Sequence, residues 1–417
     1  MSRPTPSSTT PQASNSAKPV ALARRAQLLK PSPILMLAAR AGEMKAAGQD
    51  VISLSIGEPD WPTYERIKVA AIQAIQKNLS KYTPPAGIPE LRKAIAAQTS
   101  KDLGLEFEMS EVVVSSGAKI VLFAALQAVV DPGDEVILVA PFWASYTTMV
   151  ELADGTPRIA ICDDKSDFKL TPAILENSIT PKTKAILLNS PSNPTGKMYT
   201  REELSALAEV LRRHPQVAVI SDDIYNRLCF EAQLAPHLLQ VAPDLRPRVL
   251  ALNGASKSFA MTGWRVGWAV GPKNWVTAMA NYLSQSVSCA SAPALYGALE
   301  GVLHGDEDVL KTVQLLKDRR DFLLGELAQV PHIKTAMPEG AFYLWVDLRH
   351  YLGRRYKDQK MVGSAELCAT LLEEKLVAAV PGVEFGLEGY LRLSYALEKE
   401  KGREAIRRMR EFLTSLQ

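Results

Sequence analysis

The sequence predicts an α/β protein built on a central, mainly parallel β-sheet that is flanked by helices. Between residues 112 and 270, short apolar runs of strand length alternate with stretches of helical spacing. The runs are apolar at successive positions, as expected for strands that are covered by helices on both faces. The predicted strands are residues 112–114, 136–139, 185–188, 217–220, 249–252 and 266–270.

Other elements are predicted on either side of this region. A strand at residues 51–56 ends in a turn that begins at Gly57, and two helices follow it, separated by a loop at residues 82–87. After the sheet, a long helix leads to a second domain of strands and two helices, the last of them amphipathic. The predicted helices outside the sheet region are residues 64–79, 88–103, 313–327 and 400–416. The first has an apolar face through Ile67, Ala71, Ile75 and Leu79.

Composition narrows the class of partner. The chain has 417 residues, 47% hydrophobic and 22% charged, with a formal net charge of +3. So small a charge favours neither nucleic acid nor a membrane surface, and no apolar run reaches the roughly 18 residues that span a bilayer. The four cysteines show no Cys-x-x-Cys spacing. We therefore expect no metal site and no disulfide framework.

Domain boundaries follow from the same patterns. Residues 1–19 are rich in Ser, Thr and Pro and are predicted to be a disordered tail. Residues 20–50 are expected to form an arm that joins the small domain, residues 51–325 the large domain, and residues 326–417 the small C-terminal domain. No acidic residue precedes Glu43, and organellar transit peptides are likewise poor in acidic residues. A cytoplasmic location is favoured, and organellar targeting is the alternative.

Lys257 is the first candidate for chemistry. It follows the apolar run 249–252 directly, and Arg265 lies eight residues later. A lysine that is kept dry beside an apolar core has a lowered pKa and a nucleophilic amine, which suits a Schiff base with a carbonyl compound. An arginine suits a phosphate. An aldehyde that also carries a phosphate is pyridoxal 5′-phosphate (PLP), although two solvated cations on a surface loop would give the same pattern.

Four more strand or loop ends carry candidate groups. Gly117 lies at a strand-to-helix turn whose backbone N–H groups suit a phosphate, and Trp143 could stack on a flat ring. Asn193 lies in a loop of turn-forming residues. Asp222 ends an apolar strand, where a carboxylate is costly unless it is paired, for instance with a protonated pyridine nitrogen. A plain turn, a core tryptophan or a cap on the following element would explain each of these residues without a ligand.

Arg392 is the candidate in the C-terminal domain. It stands inside the apolar run Leu391-Arg392-Leu393. Arginine is rarely buried without an anion, and its planar fork fits a carboxylate. A structural ion pair would explain the same residue.

Together these motifs resemble the PLP-dependent aminotransferases of the class I and II superfamily, fold type I, and most closely the bacterial aspartate aminotransferase branch. The resemblance starts near Arg24 and reaches the end of the chain, with the motifs in family order. The segments that carry it are residues 56–60, 82–87, 189–196, 221–225, 255–267 and 392–394.

The resemblance implies a role for each candidate. Lys257 would attach the cofactor and move a proton at the substrate, and Asp222 would pair with the ring nitrogen. Arg392 would bind the α-carboxylate of the substrate, with Gly57 beside it. Asn193 and Tyr225 would hold the ring hydroxyl and Trp143 would stack on the ring. The phosphate would be held by Gly117, Ala118, Lys119, Ser256, Arg265 and, from a partner subunit in a homodimer, Tyr82.

Two positions depart from the pattern of the family. A serine that binds the phosphate in many relatives is replaced by Gly254, three residues before the lysine. Some aspartate-specific relatives carry a lysine on the helix after the phosphate turn, and residues 120–130 contain none. The second departure weakens the case for dicarboxylic substrates, although Ser32 on the arm remains a candidate contact.

The expected activity is transfer of an amino group from an L-amino acid to a 2-oxo acid such as 2-oxoglutarate, with aspartate as the first choice of donor. Alternatives are an aromatic or broad-specificity aminotransferase, for which Ile34, Phe342 and Tyr343 are expected as apolar neighbours of the pocket, and a PLP lyase or racemase on the same fold. A non-catalytic protein that binds a phosphate-containing ligand is a further alternative, against which Lys257, Asp222 and Arg392 argue.

Overall fold

A computed structural model describes residues 20–29 and 33–417 of the chain. The predicted tail and Ser32 lie outside the described residues. Residues 20–29 belong to a compact unit separate from the rest and contain one short helix, α1 (Arg24–Leu28). The second unit contains every other element. Its helices are α2 (Pro33–Ala46), α3 (Glu65–Gln76), α4 (Pro89–Leu103), α5 (Ala118–Gln127), α6 (Ser145–Leu152), α7 (Pro172–Ser178), α8 (Arg201–Arg213), α9 (Leu238–Val241), α10 (Ala255–Ser258), α11 (Lys273–Ser286), α12 (Ala292–His304), α13 (Asp306–Leu327), α14 (Ser364–Lys375) and α15 (Lys399–Thr414).

The strands form one large sheet and three smaller pairings. The large sheet has seven strands in the order β2-β8-β7-β6-β5-β3-β4, and only β8 runs against its neighbours. A four-stranded antiparallel sheet has the order β14-β15-β10-β9. The strands are β1 (Ile52–Ser53), β2 (Val112–Ser115), β3 (Glu135–Ala140), β4 (Thr156–Ile161), β5 (Thr183–Asn189), β6 (Ala218–Asp222), β7 (Val249–Gly254), β8 (Gly267–Val270), β9 (Lys334–Ala336), β10 (Tyr343–Asp347), β11 (Arg355–Tyr356), β12 (Gln359–Lys360), β13 (Val377–Ala378), β14 (Val380–Pro381) and β15 (Tyr390–Ser394).

The predicted fold class is confirmed, and the two-sided burial of the central strands is its physical basis. Successive residues of β2 belong to different hydrophobic clusters: Val112 and Val114 pack in one cluster, and Val113 packs in the other. Alternate side chains of a strand point to opposite faces of its sheet, so helices must cover both faces. The carboxyl ends of β5, β6 and β7 therefore meet at one edge of a rigid layer.

The sequence missed β4, because this strand lies at the edge of the sheet. Ile159 and Ile161 are 40% and 59% exposed, whereas Ala160 is buried. A strand with one solvated face has no continuous apolar run to reveal it. The prediction for β1 was too long, since only Ile52 and Ser53 pair with β13, after which the chain turns toward the antiparallel sheet.

Helix α3 was predicted, but part of its assumed core face was wrong. Ile67 and Ala71 are buried as expected, whereas Ile75 is 59% exposed. The helix packs on α12 and leaves an apolar stripe in solvent. We call this stripe the α3 face; it consists of Val69, Ile72, Ile75 and Leu79.

Helix α2 and the antiparallel sheet pack with the C-terminal part of the chain. Ala41 and Met44 of α2 pack with Leu372 and Ala378 in a small apolar cluster. The backbone N–H of Ser394 donates to Leu54 O, so β15 is tied to the segment that follows β1. Among the described residues, no helix is both long and apolar enough to cross a membrane.

Candidate active site

A cavity of about 360 Å³ lies at the carboxyl ends of β5, β6 and β7, between the large sheet and the antiparallel sheet. This is where open parallel sheets bind ligands. The structure brings eleven of the predicted site residues to its wall. They are Gly57, Ala118, Lys119, Trp143, Asn193, Asp222, Tyr225, Ser256, Lys257, Arg265 and Arg392.

Lys257 is on the short helix α10, which begins directly after β7. Its Nζ donates to the backbone oxygen of Gly57 at 2.7 Å. Burial lowers the pKa of this lysine to about 8, and the Glu58 carboxylate opposes part of that shift. At pH 7 roughly a tenth of the amine is therefore free and nucleophilic, far more than for a solvated lysine, as the sequence predicted for a desolvated one.

Asp222 is the last residue of β6 and is 5% exposed. Its Oδ2 accepts a hydrogen bond from the Tyr146 hydroxyl at 2.6 Å, and its Oδ1 accepts one from the backbone N–H of Ile224 at 3.3 Å. The bond from Ile224 is the capping interaction that was the alternative explanation for Asp222. It occupies only one of the two carboxylate oxygens. Burial raises the pKa of Asp222 to about 6, and the bond from Tyr146 opposes the shift. A cation placed in the cavity would offset this cost.

The turn between β2 and α5 forms an anion site together with Arg265. Gly117 has a φ of 100° and stands at the N-terminus of α5. A Cβ on Gly117 would collide with the guanidinium group of Arg265, so glycine is what allows the two to meet. Arg265 itself is exposed, and its Nη1 donates to Thr262 O at 2.9 Å. A helix N-terminus and a guanidinium together suit a phosphate.

Arg392 is buried in β15, with only 2% of its surface exposed. Its Nη1 donates to Asn193 Oδ1 at 3.0 Å and its Nη2 to Ser55 O at 2.6 Å, while its Nε has no hydrogen-bond partner. Among residues 20–29 and 33–417 no carboxylate lies within ion-pair distance of this side chain. The alternative of a structural ion pair is therefore not supported, and the cavity is left with a cation that can bind an anion.

Lys119 brings a cation into the cavity that sequence reasoning missed. The search for a lysine covered residues 120–130, and only the backbone of Lys119 was considered. In the structure its Nζ lies 4.7 Å from the centre of the Trp143 ring and 3.3 Å from Ser145 Oγ. Burial lowers the pKa of Lys119, and Arg265 adds to the shift. The position of Lys119 in the first turn of α5, directly after Gly117, could have indicated from the sequence that its side chain reaches the cavity.

Three further polar groups were missed at the cavity wall: Tyr146, Asn189 and the hydroxyl of Tyr343. Asn189 donates to Asp222 O at 2.8 Å and accepts from the backbone N–H of Asn193 at the same distance, so it fixes the loop that carries Asn193. Tyr343 had been considered only as an apolar neighbour. Its hydroxyl is 2.8 Å from that of Tyr225, and both residues are buried.

Two predicted site residues do not line the cavity. Gly117 lies behind Arg265, as described above. Tyr82 is 92% exposed in the loop after α3. In the single chain the Tyr82 side chain therefore lies in solvent.

Comparison with known proteins agrees with this geometry. Residues 49–409 match the family model of the class I and II aminotransferases. A probable aspartate/prephenate aminotransferase of Rickettsia bellii is 42% identical over 93% of this chain and 98% of its own length. An aspartate/prephenate aminotransferase of Nitrosomonas europaea is 41% identical over 94% of this chain and 100% of its own length.

Solved structures give the same result. The crystal structure of the aspartate aminotransferase from Rhizobium meliloti superposes with a TM-score of 0.92 at 38% identity, covering 96% of this chain and 100% of its own. The Thermus thermophilus aspartate aminotransferase with maleate gives a TM-score of 0.87 at 38% identity, covering 94% and 100%. The chain therefore belongs to the class I and II aminotransferases, a family that uses PLP, and it is an aminotransferase of the aspartate aminotransferase branch.

Proposed function

We propose that this aminotransferase binds PLP in the 360 Å³ cavity, with Lys257 as the point of covalent attachment. The observation that carries the proposal is the pairing of a lysine of lowered pKa with a buried carboxylate of raised pKa in one cavity. Each ionised group alone is costly to bury, and a ligand with an aldehyde and a basic ring nitrogen would use both.

The residues present fit the three binding groups of PLP. Lys257 supplies an amine for the aldehyde, and Asp222 supplies a carboxylate for the ring nitrogen. For the phosphate, the N-terminus of α5 meets Arg265, with Ser256 on the same wall. Gly254, which stands where many relatives carry a serine, lines a second, smaller cavity, and a Cβ there would lie 3.0 Å from Val266 O.

When bound, PLP supplies an electron sink for the carbanion that forms at the α-carbon of an amino acid. The amine of Lys257 would move the proton from that carbon to the carbon of the cofactor that came from its aldehyde, which transamination requires. Asp222 would keep the ring nitrogen protonated, and Tyr225 and Asn193 would hold the ring hydroxyl. Arg392 would bind and orient the α-carboxylate through the guanidinium N–H groups that do not already donate to Asn193 and Ser55.

Attachment of the cofactor is tested by chemical reduction. We expect the purified protein to be yellow and to retain PLP after treatment with borohydride, with the modified peptide containing Lys257. Lys257→Ala should bind the cofactor without a covalent link and should have no measurable transaminase activity. Recovery of the reduced cofactor on another lysine would refute the assignment of Lys257.

For the substrates, we propose that aspartate is the amino donor and that prephenate or 2-oxoglutarate is the acceptor. The relatives are named for aspartate and prephenate, and one solved neighbour contains maleate. Aspartate, prephenate and maleate each carry two carboxylates. Arg392 is available for one of these and Lys119 for the other, because both cations reach the same cavity. Residues 120–130 contain no lysine, as the sequence showed, but Lys119 lies one residue before them and supplies the cation whose absence weakened the case for dicarboxylic substrates.

An aromatic or broad donor specificity is the second candidate, and the apolar lining of the cavity supports it. Ile34, Trp143 and Tyr343 are at the wall, whereas Phe342, expected beside them, is fully buried in the core. A ring that is buried against them would gain about 25 cal/mol per Å² of apolar area. The two candidates differ in whether Lys119 discriminates between donors.

A panel of donors with one common acceptor decides between them. In Lys119→Met, kcat/KM for aspartate should fall about 10- to 150-fold, the equivalent of one charge-assisted hydrogen bond of about 1.5–3 kcal/mol. The value for phenylalanine should change less than about threefold. Lys273→Met is the matched control, because Lys273 is a surface lysine that pairs with Glu108 outside the cavity. Equal losses for aspartate and phenylalanine would refute a role of Lys119 in specificity.

We also propose a homodimer in which Tyr82 reaches the phosphate site of the partner subunit. The α3 face supports this, because its four apolar residues are 36–59% exposed and lead toward the 92% exposed Tyr82. Dimers formed by mixing Lys257→Ala with Tyr82→Phe should regain one intact site and therefore activity. Heterodimers that form without such a gain would contradict a shared site, as would a monomer at working concentration.

The domain boundaries at residues 50 and 325 and a cytoplasmic location remain proposals from the sequence. The contacts of α2 with Leu372 and Ala378 support assigning that part of the arm to the small domain. Limited proteolysis that releases residues 51–325 as an intact fragment would support the boundary at residue 325.

A further inference from the structure

Tyr343 connects two parts of the cavity that the proposed function treats separately. It is the first residue of β10 and is 1% exposed. Its hydroxyl is 2.8 Å from the Tyr225 hydroxyl. On its other side, the Arg392 guanidinium carbon lies 4.4 Å from the centre of the Tyr343 ring. One phenol therefore touches both the residue proposed for the ring hydroxyl and the residue proposed for the substrate carboxylate.

The position of the Tyr343 hydroxyl is fixed by its surroundings. A Cβ on Gly57 would lie 2.7 Å from this oxygen, so the hydroxyl occupies space that only a glycine leaves free. The same Gly57 accepts the hydrogen bond from Lys257 through its backbone oxygen. The Tyr225 ring is held in turn by edge-to-face contacts with Phe342 and Tyr343, whose ring centres are 5.6 Å and 5.8 Å away.

The charges around the two phenols indicate which one donates. Burial raises the pKa of Tyr343, and the Arg392 cation opposes that rise. Burial raises the pKa of Tyr225 well above its usual value, Tyr343 adds to the rise, and Arg392 opposes it here too. Because the Arg392 cation lies directly against the Tyr343 ring, Tyr343 is the better hydrogen-bond donor of the pair. With Tyr343 donating to the Tyr225 oxygen, the proton of Tyr225 is free to point into the cavity.

We propose that Tyr343 is a positioning residue that acts through Tyr225: it donates to the Tyr225 oxygen and so keeps the Tyr225 hydroxyl aimed, as a donor, at the ring hydroxyl of the cofactor. This inference rests on the proposed function. A hydroxyl that accepts one hydrogen bond also becomes a stronger donor in the next, so loss of the first weakens the second. Because Arg392 faces the Tyr343 ring, the arrangement also joins the carboxylate site to the cofactor site.

The test uses the holoenzyme and the pH dependence of its visible absorption band. A weaker donor at the ring hydroxyl stabilises its negative charge less, so the cofactor should hold its titrating proton more tightly. We expect Tyr343→Phe to shift the midpoint of the titration upward by about half a pH unit. Tyr225→Phe should shift it further in the same direction. The double variant should match Tyr225→Phe alone, because Tyr343 acts only through Tyr225.

Tyr395→Phe is the matched control. Tyr395 is a fully buried tyrosine whose hydroxyl donates to Ala341 O at 3.1 Å. Its variant loses a buried hydrogen bond of the same kind and should titrate like the wild type, while thermal unfolding reports on folding for all variants. A wild-type midpoint in Tyr343→Phe would overturn the inference, and so would a shift that adds fully to that of Tyr225→Phe. A wild-type protein with no titrating visible band would instead refute the proposed function, and this inference with it.

Discussion

Asp222 and Asp223 are neighbours in the chain but belong to different regions of the molecule. Asp222 lines the 360 Å³ cavity together with Lys257. Asp223 lines a smaller cavity of about 60 Å³ together with His237. The two carboxylates are buried to a similar extent, at 5% and 7% exposed. Burial alone therefore does not distinguish the two carboxylates. They differ in the groups that contact them.

The partners of Asp223 come from the fold itself. Its Oδ1 accepts from Ser221 Oγ at 2.6 Å, and its Oδ2 is 3.3 Å from His237 Nε2. His237 Nδ1 accepts from the backbone N–H of Leu239 at 3.1 Å, and its Nε2 faces Asp223 without making a hydrogen bond. Asp222, in contrast, shares a cavity with a lysine and has a raised pKa. The comparison teaches that a carboxylate paired within the fold serves stability, whereas one beside a ligand-sized cavity is available for chemistry.

The largest expected difference between the two residues is in catalysis. Asp222→Ala should lower kcat at least about a hundredfold, with kcat/KM falling in parallel, because it removes an interaction that matters most in the transition state. Asp223→Ala should lower kcat less than about tenfold. Steady-state rates of PLP-saturated proteins with aspartate measure both. Equal losses of kcat would contradict the assignment of Asp222 to catalysis and of Asp223 to stability.

Stability should show the opposite order. Asp223→Ala leaves the Ser221 hydroxyl without its acceptor and removes the carboxylate beside His237, so it should reduce the free energy of unfolding by about 1–3 kcal/mol. Asp222→Ala should cost less at pH 8, because a carboxyl whose pKa is raised to about 6 in the folded state destabilises the fold when it is ionised above that pH. Urea unfolding of the cofactor-free proteins at pH 8 gives both values. A larger loss for Asp222→Ala would contradict the assignment of Asp223 to stability.

The smallest expected effect is on the ionisation of Lys257. Acylation of this amine in the cofactor-free protein should increase with pH around a midpoint of about 8. The Asp222 carboxylate favours the charged amine, so Asp222→Asn should lower the midpoint. Asp223→Asn should leave it in place. Mass spectrometry of the labelled Lys257 peptide measures the midpoint. A larger shift for Asp223→Asn than for Asp222→Asn would contradict the claim that Asp222 is the carboxylate that affects the pKa of Lys257.

Much of the cofactor side of the site could be predicted because its signals are local. An apolar run that is followed by a polar residue marks the end of a buried strand, and parallel strands end at one edge of a sheet. Lys257, Asp222 and Asn193 were located in this way, and the structure brings them to one cavity. Family resemblance added the chemistry that each would perform. The edge strand β4 and the exposed α3 face were misjudged, since half-solvated elements have weaker apolar patterns.

The sequence by itself determined the α/β class, the positions of the buried strands along the chain and the strand ends that carry Lys257 and Asp222, because hydrophobic periodicity is a property of neighbouring residues. Only the tertiary structure decided which distant side chains complete the site. Tyr146 reaches Asp222 across 76 residues of chain, and Tyr343 reaches Tyr225 across 118. The Lys119 amine reaches the cavity because its side chain packs against the Trp143 ring. Such contacts depend on how separate segments pack and how their side chains point, and no local pattern contains that information.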